Sequence, residues 1–231
     1  QNFTIEGISV KILTTNINAE PVVGVNATVY EIFQSAEKRV VSGLTNSSGW
    51  IVNTLDHGGN YTFKAFWNNV QVNLTKGVAL DVNSSWTLIC QLANFQFTIK
   101  DRKTNLPMPL IFLTIDANYT TITNASIHAP QQNDLTNSTG QWILRNQLTK
   151  VNYAFHAYRN QLLFNTTSFQ VQQSQKWYNR SINCPTLDLT IHAEDARHAS
   201  LGGYPIRIYE FGDGPYANAT TDNYGNATFS A

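Results

Sequence analysis

The chain has 231 residues, 42% hydrophobic and 12% aromatic, enough for two or three small cores, but only 13% are charged, about half the usual share. Fifteen Lys and Arg balance fifteen Asp and Glu without a run of either sign, which excludes the electrostatic footprint of a nucleic-acid partner and a membrane-binding patch. Apolar runs such as Leu110-Ile111-Phe112-Leu113 fall far short of the roughly 20 residues that span a bilayer, so no membrane insertion of this segment is expected. No basic and apolar leader is seen at Gln1, and the chain reads as already processed.

A first strand is predicted at Ile8-Ser9-Val10-Lys11-Ile12, where apolar and polar side chains alternate. A loop with Pro21 and Gly24 leads to a second strand ending at Val29-Tyr30-Glu31. Thr45-Asn46-Ser47-Ser48-Gly49 is then a turn whose glycine can take a positive φ. Tyr61-Thr62-Phe63-Lys64-Ala65-Phe66 is a further strand, and Trp86 and Cys90 lie near the end of the unit.

The same order returns in Phe97-Thr98-Ile99-Lys100, Leu106-Pro107-Met108-Pro109, a strand ending at Ile115-Asp116, and the turn Thr136-Asn137-Ser138-Thr139-Gly140. It continues through Tyr153-Ala154-Phe155-His156-Ala157-Tyr158 to Trp177 and Cys184. A third copy opens at Leu189-Thr190-Ile191-His192, passes Leu201-Gly202-Gly203 and Ile208-Tyr209-Glu210, and reaches its turn at Thr221-Asp222-Asn223-Tyr224-Gly225. Tyr61 and Tyr153 are 92 residues apart, and Trp86 and Trp177 are 91 apart, the period of a small repeated domain.

Short alternating strands, frequent turns and no stretch of helical period predict an all-β chain of tandem Ig-like antiparallel β-sandwich domains in an elongated array. The repeat sets the expected limits at 1–92, 93–186 and a partial third sandwich at 187–231. The third copy lacks the counterpart of residues 61–90, so its sheets need a cover, either further chain or a partner's strand such as Gln1 to Gly7.

Asn-x-Ser/Thr occurs thirteen times, at Asn2, Asn26, Asn46, Asn60, Asn73, Asn83, Asn118, Asn124, Asn137, Asn165, Asn179, Asn218 and Asn226. Random placement of the 26 Asn among 39 Ser and Thr would produce about 4. The excess predicts a surface wrapped in N-linked glycans, hence an extracellular or cell-surface location. Cys90 and Cys184 occupy matching places, and a stagger of one domain between chains could join them as a disulfide; pairing in a bent chain, with outside partners or not at all stays open.

No catalytic group is recognisable: there is no nucleophile elbow, no phosphate cradle and no paired carboxylates with aromatic flanks. No cofactor is expected. Glu194, Asp195 and His198 form the one compact group of metal-capable residues, best explained as a solvated loop. Asp213, Asp222 and Asn223 could offer oxygen ligands to calcium, although no calcium-loop consensus surrounds them. Trp50, Trp67, Trp86, Trp142 and Trp177 would make a carbohydrate platform if exposed, but are expected to pack.

The succession of strand, Pro/Gly loop, second strand, Asn-x-x-Gly turn and Tyr-x-Phe strand resembles carboxypeptidase-regulatory-like and collagen-binding B-type Ig-like sandwiches. With this sequon density, the chain resembles archaeal S-layer and extracellular filament proteins. That resemblance implies a structural, self-associating subunit whose partners are other copies of itself. Some B-type sandwiches carry a Lys-to-Asn isopeptide bond; Lys11 and Lys100 lie on the outward phase and the third copy has His192, so the bond is not carried over. An adhesin or carbohydrate-binding stalk, and accessory domains of a larger secreted enzyme, are the alternatives.

Overall fold

The computed structural model describes residues 7–159, 161–185, 188–209 and 215–230. Asn2, the donor segment before Gly7, Glu210, Asp213 and the expected limit at 186–187 lie outside them. Every regular element among the described residues is a β-strand, so the chain is all-β. The first repeat contains β1 (Gly7–Thr15), β2 (Asn26–Phe33), β3 (Ala36–Leu44), β4 (Trp50–Asp56), β5 (Gly59–Trp67), β6 (Val70–Leu80) and β7 (Ser84–Ile89). They form two sheets, ordered β4-β1-β7 and β3-β2-β5-β6. Alternation sends Val10, Ile12, Val29, Phe63 and Ala65 into the core, each wholly buried, while Lys11 stays outside.

The β1–β7 pair departs from the antiparallel expectation. β7 runs parallel to β1, from Val10↔Ser84 to Thr15↔Ile89. It follows β6, an edge strand of the other sheet, so it reaches β1 by crossing between sheets, and a crossover permits a parallel neighbour where a hairpin does not.

The second repeat contains β8 (Leu92–Asp101), β9 (Phe112–Thr120), β10 (Ser126–Leu135), β11 (Gln141–Leu148), β12 (Asn152–Arg159), β13 (Leu162–Gln170) and β14 (Trp177–Cys184). Its sheets, β11-β8-β14 and β10-β9-β12-β13, repeat the first order seven strands later. In the third, β15 (Asp188–His192) pairs with β18 (Asn226–Ser230), and β16 (Pro205–Tyr209) with β17 (Pro215–Thr220). These four correspond to β1, β4, β2 and β3.

Backbone bonds set the register between copies. Thr14 N donates to Gly49 O at 2.9 Å, Ile99 N to Gly140 O at 2.8 Å and Ala193 N to Gly225 O at 2.8 Å, which makes Thr14, Ile99 and Ala193 equivalent. Lys11 therefore corresponds to Gln96 and Thr190, and Lys100 to Thr15, so the two lysines are not counterparts as the strand patterns suggested. A similar slip affects the tryptophans. Trp86 lies an even number of residues before buried Cys90 and meets Phe63 in the core at 5.8 Å. Trp177 lies an odd number before buried Cys184; the core aromatic there is its neighbour Tyr178, stacked 4.3 Å from Phe169.

The turn glycines are required by their surroundings. Gly140 has φ +68°, and a Cβ there would stand 2.6 Å from Ile99 O; Gly225, at +78°, would meet Ala193 O at 2.5 Å.

The chain packs as two compact units, Gln1–Ile99 with Pro107–Ile182, and Lys100–Leu106 with Asn183–Ala231. Units and repeats do not coincide. The first unit holds most of both seven-stranded sandwiches. In the second, Arg102 N donates to Cys184 O at 2.9 Å, tying the loop after β8 to the last residue of β14 within the second repeat.

Candidate glycosylation and assembly surfaces

None of the twelve described sequon asparagines is buried: eight are exposed, and Asn26, Asn73, Asn165 and Asn226 are half-buried. The fully buried asparagines, Asn16 and Asn94, both stand outside sequons. Asn46 and Asn137 also have a local task. Asn46 Oδ1 accepts from Ser48 N and Trp50 N, and Asn137 Oδ1 from Thr139 N and Gln141 N, all within 2.9–3.0 Å. In the third repeat Asp222 accepts the same two bonds, from Tyr224 N and Asn226 N. The turn thus needs only the side-chain oxygen, which leaves the Asn Nδ2 available for sugar.

Each turn is anchored by a threonine. Thr136 Oγ1 donates to Met108 O at 2.7 Å and accepts from Ile111 N at 3.0 Å; Thr45 and Thr221 repeat both bonds. The sequence shows these threonines at the head of each turn motif, but not this role.

Sequence reasoning also missed the junction of the two complete sandwiches. Asn16 Nδ2 donates to Glu20 Oε2 and to Asn146 Oδ1, each at 2.8 Å. Glu20 also accepts from Asn94 Nδ2 at 2.9 Å and from Arg145 Nη1 at 2.5 Å. A register shift in β11 between Leu144 and Gln147, with Asn146 at φ +57°, bends the strand where Arg145 and Asn146 make these bonds. The bonds hold the Glu20 pKa below the usual carboxylate value, Asn94 contributing most, then Asn16 and Arg145, against an opposing effect of burial. An Asn within the apolar run Leu92-Ala93-Asn94-Phe95 was the available signal, because such an amide must find partners.

A groove of about 670 Å³ lies in the same unit. Gln71 and Asn73 of β6, Asn118 of β9, Thr149, Asn152 of β12 and Gln173 are among its lining residues.

In the third repeat the inner face is covered only in part: Ala227 and Phe229 of β18 are buried, while residues of the neighbouring strands are not. Leu189 is 49% exposed where its counterparts Val10 and Phe95 are buried, and Tyr204 is 52% exposed where Val25 and Ile111 are buried.

Both cysteines are buried. Burial pushes the Cys90 thiol up to about 12, which makes it unreactive, and a bond from it to another chain would require that end of the sandwich to open. Among the described residues no group of three or more His, Cys, Asp and Glu is arranged to hold a metal ion. His198 Nδ1 meets Glu194 Oε1 at 2.6 Å, while Asp195 closes its own turn, accepting from Arg197 N and Ala199 N. None of the five tryptophans is exposed, so they form no open platform.

No protein-family model matches the chain, and no curated protein matches it. Solved structures are similar at low identity. A double mutant of the shaft pilin SpaA from Lactobacillus rhamnosus GG is 11% identical, covering 77% of this chain and 98% of that one, with a TM-score of 0.43. The Bacillus anthracis TIE protein is 15% identical over 97% of this chain and 43% of its own, with a TM-score of 0.34. The minor pilin GBS52 of Streptococcus agalactiae is 12% identical over 77% of this chain and 95% of its own, with a TM-score of 0.33. Each score is below 0.5, and the all-β assignment stands on the strands themselves.

Proposed function

We propose that this chain is a structural, N-glycosylated subunit of an extracellular cell-surface assembly, a filament or S-layer of the archaeal kind, that acts through self-association and not through catalysis. The observation that carries it is the sequon pattern: a threefold excess over composition, with no described sequon asparagine buried, although the fold does bury two other asparagines. Domain limits near 92 and 186 are part of the proposal, as is a neighbour's strand over the exposed part of the third repeat, at Leu189 and Tyr204. Glycopeptide mass spectrometry together with electron cryomicroscopy of the native material tests it. Sugar on most sequons and an ordered lattice or fibre are expected. A sugar-free chain that stays monomeric at high concentration would overturn it.

A further inference from the structure

We infer that the groove of the first unit is a saccharide site, and that the saccharide is the N-glycan carried by Asn118; this rests on the glycosylated-surface reading above. The groove's volume, about 670 Å³, is that of a ligand cleft. Lys150 is the one charged residue in its lining, and amides and hydroxyls from Gln71, Thr149, Asn152 and Gln173 supply the polar groups. Such short neutral donors and acceptors suit sugar hydroxyls, whereas an anion would require more cationic partners and a lipid a more continuous apolar wall.

Two sequon asparagines line the groove, and they differ in what their amides can do. Asn73 is half-buried and held at both ends: its Nδ2 donates to Ile89 O at 2.8 Å, and its Oδ1 accepts from Thr75 Oγ1 at 3.1 Å. Asn118 is exposed, and its Oδ1 is held by His128 Nδ1. Its Nδ2 has no hydrogen bond among the described residues. Attachment at Asn118 forms a bond from Nδ2 to C1 of an oligosaccharide donated by a lipid-linked pyrophosphate, with the pyrophosphate as leaving group and one Nδ2 proton lost. The remaining N–H can still donate. Asn73 keeps its structural bonds and stays bare.

The test compares the native glycoprotein with the same chain made in a host that lacks N-glycosylation, using glycopeptide mass spectrometry and hydrogen exchange. Sugar on Asn118 and none on Asn73 is expected, with exchange of amides in 70–74 and 149–152 slowed on the order of tenfold in the glycoprotein. Asn118→Gln in the native host should abolish that slowing, and Asn218→Gln should leave it. A bare Asn118 beside occupied sequons elsewhere overturns this inference alone, whereas no sugar anywhere overturns the glycosylated-surface reading with it. Equal exchange in the two forms also overturns it. The same protection from maltoheptaose added to the unglycosylated chain would replace the attached glycan with a free saccharide as the ligand.

Discussion

Glu20 is a half-buried carboxylate whose donors come from both complete repeats, and its lowered pKa gives the junction a defined acid limit. A folded value below the unfolded one, about 4.3, means that the stabilisation is complete above that pH and is lost as pH falls through the lower folded value. Glu20→Gln should therefore cost about 1 kcal/mol at pH 7, discounted for partial exposure, and nearly nothing once Glu20 is protonated in both the folded and the unfolded chain. Urea unfolding of both proteins at neutral pH and near pH 2 measures the difference. Thr136 is a stronger test of the turn anchor, because it is buried and a methyl cannot replace its two bonds. Thr136→Val is expected to lower stability by about 1–3 kcal/mol in the same assay. Its position was legible as the first residue of a repeated turn, but its bonds reach residues 25 and 28 positions away, beyond any local pattern.

Among the elements, the turns were the most legible, since the demand for positive φ at Gly49, Gly140 and Gly225 is local. Asn137→Asp keeps the accepting oxygen, as Asp222 does naturally, while destroying the sequon. Stability should change by less than about 0.5 kcal/mol, whereas Asn137→Ala should lose about 1 kcal/mol or more. Thermal unfolding of the unglycosylated variants separates these outcomes and identifies a clean way to remove one sugar. The two-residue hairpins were uneven. Asn68-Asn69, both at positive φ, suit a tight hairpin by type, but Gln34 and Ser35 adopt the same left-handed region without such a signal. Their conformation follows from the pairing of Phe33 with Ala36 on either side.

For the chain as a whole, the two units differ in how much core they cover. Leu189 and Tyr204 stand open in the second unit, while Phe95, Phe97, Tyr153 and Phe155 are fully buried in the first. Hydrogen exchange of the unassembled chain should report β15–β18 as the fastest-opening strands, by orders of magnitude against β5 and β12; equal protection would mean that the exposed part is covered in solution. The phase of strands such as β1 and β5, the repeat period, the turn glycines and the sequons were recoverable from residue order, because alternation, backbone φ and a three-residue motif are properties of neighbours. The parallel β1–β7 pair, the four-residue offset between Lys11 and Lys100, the opposite phases of Trp86 and Trp177, and the Glu20 junction emerged only in the folded chain. Period two says which side of a strand a residue occupies. It does not say which distant backbone groups pair with it or in which direction, and those pairings set register, neighbour and junction.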